Sequence, residues 1–312
     1  MFTGLEVLDT IRLNFSPAGL LLLNITLAFV MFGVALELKI SNFKHVFKFP
    51  KATMVGVAAQ FLVMPMITLL MVLIINPTPG VALGMILVAS CPGGNISNFM
   101  TAHARGNTEL SVSLTAIADF SAIIMTPLNF AFWGSIYTNF YTKASNLLIP
   151  VEIDAFEMIK TMILLLGIPL VIGMWFSQRF PNIRNKIMRP IKIISLLIFA
   201  GYVIAALAAN FNYFIKYAYL IFIIVLIHNA LAFTSGYIMA KSFKLKRRDV
   251  RTVTIETGIQ NSGLALVLIF NPNLFNGYGG MAFIAAFWGI WHIVSGLIVS
   301  SIWSYQPLLK RQ

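Results

Sequence analysis

Residues 90–107 read SCPGGNISNFMTAHARGN. They stand where the surrounding apolar run predicts an uninterrupted membrane helix, yet they bring a proline, two adjacent glycines and several amides and hydroxyls. Proline removes a backbone donor and glycine loosens the helix, so Pro92-Gly93-Gly94 interrupts the span near mid-depth. A second run, DVRTVTIETGIQNSGLALVLIF at 249–270, carries a similar break around Thr257–Gly263. A single break is explained equally well by a packing kink, since Gly and Pro are tolerated in membrane helices. Two breaks are harder to dismiss. One is accompanied by Asn95, Ser97 and Asn98 and the other by Gln260, Asn261 and Ser262, side chains that are costly facing lipid.

Composition sets the frame for both breaks. The chain has 312 residues, 59% of them hydrophobic and 10% charged, against about 25% charged in an average soluble domain; its mean hydropathy is +0.86. These values describe an integral membrane protein with no room for a soluble domain. The N-terminal MFTGLEVLDTIRLNFS has neither a basic leader nor a cleavage site, so no removable signal peptide is expected. The single cysteine, Cys91, has no partner for a disulfide or a cysteine metal site. The net charge of +12 would suggest nucleic acid in a soluble protein. Here the charges sit in loops, and no nucleic-acid partner is expected.

Apolar runs predict an all-α protein of nine transmembrane helices, near 18–38, 52–75, 79–104, 107–136, 156–178, 190–210, 213–240, 249–271 and 278–306. Alternate loops hold every Lys and Arg except Arg12, Lys143, Lys160 and Lys216. The positive-inside rule therefore puts the N-terminus outside and the C-terminus in the cytoplasm of a multi-pass cell (inner) membrane protein. Trp133, Tyr137 and Tyr141, and Trp303 and Tyr305, read as interfacial aromatic residues. The two broken spans lie five apart and so run in opposite directions. Spans two, three and four match seven, eight and nine, with Gln60 of span two answered by His228-Asn229 of span seven. The expectation is an inverted repeat with two crossed discontinuous helices, the plan of a secondary transporter whose site lies where the breaks meet.

A broken helix exposes carbonyls on one half and amides on the other, so one end suits cations and the other anions. Glu256 precedes the second break and is a carboxylate at mid-bilayer, where an unpaired charge costs at least about 2.5 kcal/mol. No Lys or Arg lies at matching depth, which leaves a bound cation or a proton as its counterion. Neutral oxygens are expected around it from Gln60, Gln260, the backbone of Thr257 and Ile259, Ser97 and Asn98, a set suited to a hard cation. Ser111, Thr115 and Asp119 recur at i, i+4 and i+8 and stack on one face of span four. Asp119 is either a cation ligand or protonated and structural, a possible extra ion or proton site. His228 and His292 also lie near mid-depth, where a neutral packing histidine is the simpler reading.

At CPGGNISN…ARGN…LS…T and TIETGIQNSGLA the chain resembles the bile acid:sodium symporter family, with spacing and order matching over roughly residues 20–305. The resemblance implies a sodium-coupled carrier of an organic anion such as a bile acid, working by alternating access and catalysing no covalent chemistry. It implies one unit over 18–312, with core helices within 52–136 and 213–306 and panel helices within 18–38 and 156–210. Nine helices, one fewer than many bacterial members have, resemble the vertebrate liver and ileal carriers. Carried over by motif, a first sodium site would use Ser97, Asn98, Ser111, Thr115 and Glu256. A second would use Gln60, Glu256, Gln260 and the backbone of Thr257 and Ile259, so two sodium ions are implied. Asn95, Asn261 and His292 become candidates for substrate contact. Two positions depart from the pattern: Asp119 stands where a small hydroxyl is expected, and Ile293 where a bile-acid-binding relative offers an amide.

Other classes fit the residues less well. A proton-coupled carrier or exporter on the same plan would titrate Asp119 or Glu256. An intramembrane hydrolase would need Ser97, His292 and Asp119 as a triad, without the G-x-S-x-G elbow. A channel would need a continuous polar pore through flanks that are apolar.

Overall fold

The computed structural model describes residues 5–11, 17–38, 48–145, 153–209 and 211–306. Among them every regular element is a helix. These are α1 (Glu6–Thr10), α2 (Pro17–Glu37), α3 (Pro50–Ile75), α4 (Pro79–Ser90), α5 (Ile96–His103) and α6 (Thr108–Ser145), then α7 (Ala155–Arg179), α8 (Pro181–Ala209), α9 (Phe211–Ser242), α10 (Arg247–Gly258), α11 (Ser262–Phe270) and α12 (Gly279–Tyr305). Five of them, or long segments of them, are long and apolar enough to cross a membrane: Pro50–Ile75, Thr108–Thr142, Ala155–Arg179, Ile215–Ser242 and Gly279–Tyr305. Their outward faces carry large apolar side chains such as Met54, Ile74, Leu164 and Ile238, the arrangement of a multi-pass membrane protein.

Helices α4, α5, α6, α9, α10, α11 and α12 pack around the two breaks together with α3, while α2, α7 and α8 pack on one another. The two groups meet where α7 lies on α6 and α2 on α11. The core between α4, α11 and α12 is built from Leu83, Ile86, Leu268, Ile284 and the fully buried Trp288.

Both expected interruptions are present. Span three is α4 and α5 separated by residues 91–95, and span eight is α10 and α11 separated by 259–261. Span six starts at Pro181 and continues through an internal Pro190, nine residues ahead of the expected 190, and span four runs on to Ser145. That extension corrects one aromatic assignment: Tyr137 lies within a helix and is 1% exposed, a core side chain and not an interfacial one.

Two features were not foreseen. Helix α3 widens into a π turn at Ala59–Val63 and α7 does so at Ile163–Gly167. Each precedes a proline, Pro65 and Pro169, that has no N–H to offer the carbonyl four residues back. For Pro65 that carbonyl belongs to Phe61, and Asn129 of α6 supplies the missing donor, Nδ2 to the Phe61 oxygen at 2.8 Å. The second feature is α1, whose Asp9 carboxylate accepts the Gly80 N–H at 3.0 Å and the Thr78 hydroxyl at 3.3 Å. Thr78 makes no side-chain cap of its own, so Asp9 caps α4 from another segment.

Replacing Asp9 with Ala should cost about 1 kcal/mol and lower the melting temperature of the detergent-solubilised protein by a few degrees. A melting curve unchanged from wild type would show that α4 does not depend on this cap.

Candidate ion and substrate site at the paired helix breaks

The two breaks are held together by their own backbones. Gly93 and Gln260 form an antiparallel bridge. The Gly94 N–H donates to the Ile259 carbonyl at 2.8 Å, and the Asn261 N–H to the Pro92 carbonyl at 2.8 Å. Each half-helix that ends at the crossing also receives an amide from the preceding long helix. Gln60 Nε2 of α3 donates to the Cys91 carbonyl at 3.0 Å, and Asn229 Nδ2 of α9 donates to the Gly258 carbonyl at 2.8 Å. Groups that an interrupted helix would strand in hydrocarbon are thereby paired. Close approach explains Gly93: a Cβ there would lie 3.0 Å from Glu256 Oε2.

Glu256 sits in the last turn of α10, 5% exposed and ringed by hydroxyls. Ser97 Oγ of α5 donates to Glu256 Oε1 at 2.8 Å, and Ser111 Oγ of α6 donates to the same oxygen at 2.5 Å. Thr115 Oγ1 lies 3.3 Å from both carboxylate oxygens and 3.3 Å from Asn98 Oδ1. Its one proton is best placed on the Ser111 carbonyl of its own helix, at 3.0 Å. With that proton spent, Thr115 Oγ1 meets the Asn98 and Glu256 oxygens as one more oxygen. Thr101, fully buried and 3.3 Å from Ser111 Oγ, adds a hydroxyl that sequence reading missed. Its place one turn after Ser97 on α5 was the available signal.

A second group lies on the other side of the carboxylate. Gln60 Nε2 also donates to Gln260 Oε1 at 2.7 Å, and Gln260 Nε2 donates to the Thr257 carbonyl at 3.1 Å. Gln60 Oε1 is buried and receives no hydrogen bond. Beside it is a cavity of about 10 Å³ lined by Gln60, Phe61, Leu114, Ala118 and Glu256, room for one water-sized or ion-sized occupant. The π turn aims Gln60 here, for it shifts the helical register at that residue.

Asp119 is fully buried one turn beyond Thr115, and neither carboxylate oxygen has a partner. No hydrogen bond joins it to the cluster. Asn261 Oδ1 accepts from the Leu264 N–H at 3.0 Å and so caps α11. Asn95 starts α5 without a side-chain cap. His292 is buried with Nδ1 unpartnered, and no hydrogen bond ties it to the breaks. It shares a face of α12 with Gly289 and Gly296, where added Cβ atoms would meet Ser262 Oγ at 2.8 Å and Ile259 Cδ1 at 2.7 Å. His228 is a packing residue, with Nε2 2.7 Å from Thr68 Oγ1 and its ring on Trp288. Among the described residues no His, Cys, Asp and Glu group is arranged to hold a metal ion.

Helices that satisfy each other's breaks around a buried carboxylate are a feature of one class, the membrane transporter built with discontinuous helices. Comparison with known proteins agrees. The profile of the Sodium Bile acid symporter family matches residues 24–217, and the chain belongs to that family. Its relatives include an uncharacterised sodium-dependent transporter of Bacillus subtilis, YocS, 28% identical over 93% of this chain and 85% of that protein. The human ileal sodium/bile acid cotransporter is 29% identical over 81% of this chain and 71% of its own length. A probable chloroplastic sodium/metabolite cotransporter of Arabidopsis thaliana is 28% identical over 89% of this chain and 65% of its own. The protein is thus a transporter and not an enzyme.

Ser97→Ala and Ser111→Ala should each destabilise the protein by about 1.5–3 kcal/mol, because each removes a donor from a buried charged acceptor. Since both donate to Glu256 Oε1, the double variant should depart from additivity by at least about 0.5 kcal/mol. Thermal unfolding of the four proteins measures this, and strict additivity would mean that the hydroxyls do not share the carboxylate.

Proposed function

We propose that the protein is a nine-helix, inverted-repeat symporter that couples inward sodium movement to import of an organic anion by alternating access. The observation that carries the reading is the excess of oxygens over protons around Glu256. Ser97 and Ser111 spend their protons on Glu256 Oε1, Thr115 and Asn98 add further oxygens beside it, and on the other side Gln60 Oε1 receives no hydrogen bond. A hard monovalent cation supplies what those oxygens lack, and neutral oxygens hold it weakly enough for release. One ion takes the Ser97, Asn98, Ser111, Thr115 and Glu256 oxygens. The other takes Gln60, Glu256, Gln260 and the carbonyls of Thr257 and Ile259.

The substrate anion meets the crossing where α5 and α11 begin, with Asn95, Asn261 and His292 as its polar contacts. Those helix starts carry the positive dipole ends. A relative named as a bile acid cotransporter supports an organic anion as the substrate, a carboxylate or sulfonate in our reading. Helices α3–α6 and α9–α12 form the core, and α2, α7 and α8 form the panel that moves against it. The gathering of Lys and Arg in alternate loops supports a C-terminus on the cytoplasmic side of the cell membrane.

Uptake of labelled bile acid and small carboxylates into proteoliposomes, with and without a sodium gradient, tests the reading. Sodium should stimulate uptake and potassium should not, and Glu256→Ala and Gln260→Ala should abolish the sodium-stimulated component. Full uptake by either variant, or equal uptake in potassium, would refute it.

The orphaned oxygens of Asp119 support a second reading, in which a proton or further cation binds there. Under it, a pH gradient drives uptake in sodium-free medium and Asp119→Asn removes that drive. Uptake indifferent to pH gradient and to this substitution leaves Asp119 a neutral packing residue.

A further inference from the structure

Away from the breaks, at the end of the bundle that carries most of the basic loops, the last turns of α9 and α12 and the first turns of α10 enclose a pocket of about 450 Å³. Lys241, Arg247 and Arg251 line it with Tyr237, Trp303 and Gln306, and no acidic residue does. Arg251 is 2% exposed. Its guanidinium donates to the Ala104 carbonyl at 2.6 Å and lies 5.8 Å from the Trp303 ring centroid. Arg247 and Arg105, both cations, act on it electrostatically. Lys241 lies over the Tyr237 ring at 5.8 Å. Three like charges lining one pocket make it electropositive, a setting that favours an anion among them.

A second hollow of about 270 Å³ adjoins the first and shares Tyr237 and Trp303 with it. It runs back along α9 and α12 toward the middle of the bundle over Phe233, Thr234, Thr254, Val299 and Ile302, and carries no charge. Tyr237 and Ile302, which line it, are 41% and 54% exposed. Charge is thus confined to the end of the bundle, and an apolar channel leads from it along the helices. A free anion uses only the first half of this surface. A phospholipid uses both, with its phosphodiester among the cations and an acyl chain in the groove.

We infer that this surface is a binding site for one anionic phospholipid, with the headgroup held by Lys241, Arg247 and Arg251 and an acyl chain lying between α9 and α12. The lipid would rest against α10, the half-helix that carries Glu256 two residues beyond Thr254 of the groove. It is therefore placed to steady that half-helix from the side opposite the crossing. The site is distinct from the ion and substrate positions proposed above, and its test does not depend on them.

The full-length protein, delipidated in neutral detergent, is given phosphatidylglycerol, phosphatidylcholine or inorganic phosphate, and retained lipid and melting temperature are measured. Phosphatidylglycerol should be retained and raise the melting temperature, while phosphatidylcholine and phosphate should do neither. Lys241→Gln and Arg247→Gln should each weaken retention about fivefold, and Thr234→Trp, which fills the groove and leaves every cation in place, should abolish it. Equal retention of phosphatidylcholine would overturn the proposal, as would stabilisation by phosphate alone, which indicates a soluble-anion site. Undiminished retention by Thr234→Trp would also overturn it. If the charge variants fail to fold, the contrast among the three additives on wild type decides the matter.

Discussion

The structure depends on the exchange of two backbone hydrogen bonds between interrupted helices. Gly94 donates to Ile259 and Asn261 donates to Pro92, each bond satisfying a group that its own helix abandoned. A buried backbone group left unpaired in hydrocarbon costs several kcal/mol. Neither break is therefore tolerable alone, and each makes the other possible. The same pairing brings Gly93 beside the site: a Cβ there would lie 3.0 Å from Glu256 Oε2, so a larger residue would have to shift the carboxylate. Gln60 and Asn229, reaching from α3 and α9 to the carbonyls of Cys91 and Gly258, tie two more helices to the crossing.

Local defects elsewhere serve this arrangement. Pro65 deprives Phe61 of its helical partner, α3 widens, and Asn129 of α6 answers the vacant carbonyl. The widened turn presents Gln60 to the break, and the Asn129 bond fastens α3 to the helix that supplies Ser111 and Thr115. Thr68 and His228 make a similar tie between α3 and α9, with Trp288 of α12 packed on the imidazole. Four long helices are thus fastened through side chains that a reading of apolar runs passes over.

The degree to which the sequence disclosed this follows from what each signal was. Pro92-Gly93-Gly94 and the amides around both breaks are contrasts against an apolar background, so the interruptions and the gathering of Ser97, Ser111, Thr115 and Glu256 were legible. The i, i+4 spacing on α6 placed Ser111 and Thr115 correctly because a helix keeps its register through such a stretch. Asp119, one further step along the same stripe, is equally buried but joins nothing, for spacing gives a face and not a partner. The π turns were illegible as such, since a proline after an apolar run reads as a tolerated kink, and in α3 the donor that answers the Phe61 carbonyl lies 68 residues beyond Phe61. Asp9 was passed over for a related reason. A cap supplied from another segment has no local pattern to betray it. Tyr137 failed differently: its place followed from an assumed helix end, and the helix continued.

The proton count around Glu256 gives the proposed coupling a physical basis. Hydroxyls from α5 and α6 converge on a carboxylate of α10, and Thr115 and Asn98 add further oxygens beside it. Under the proposed coupling, a cation among those oxygens would offset their mutual repulsion, make them ligands and hold the three helices together. The crossing that such an ion would tighten includes the starts of α5 and α11, where an anion would be received. An ion that favours the tightened crossing then favours anion binding, and by reciprocity the anion strengthens the hold on the ion. Coupling of this kind needs no contact between ion and anion. It needs only that both stabilise the one arrangement that the paired breaks define.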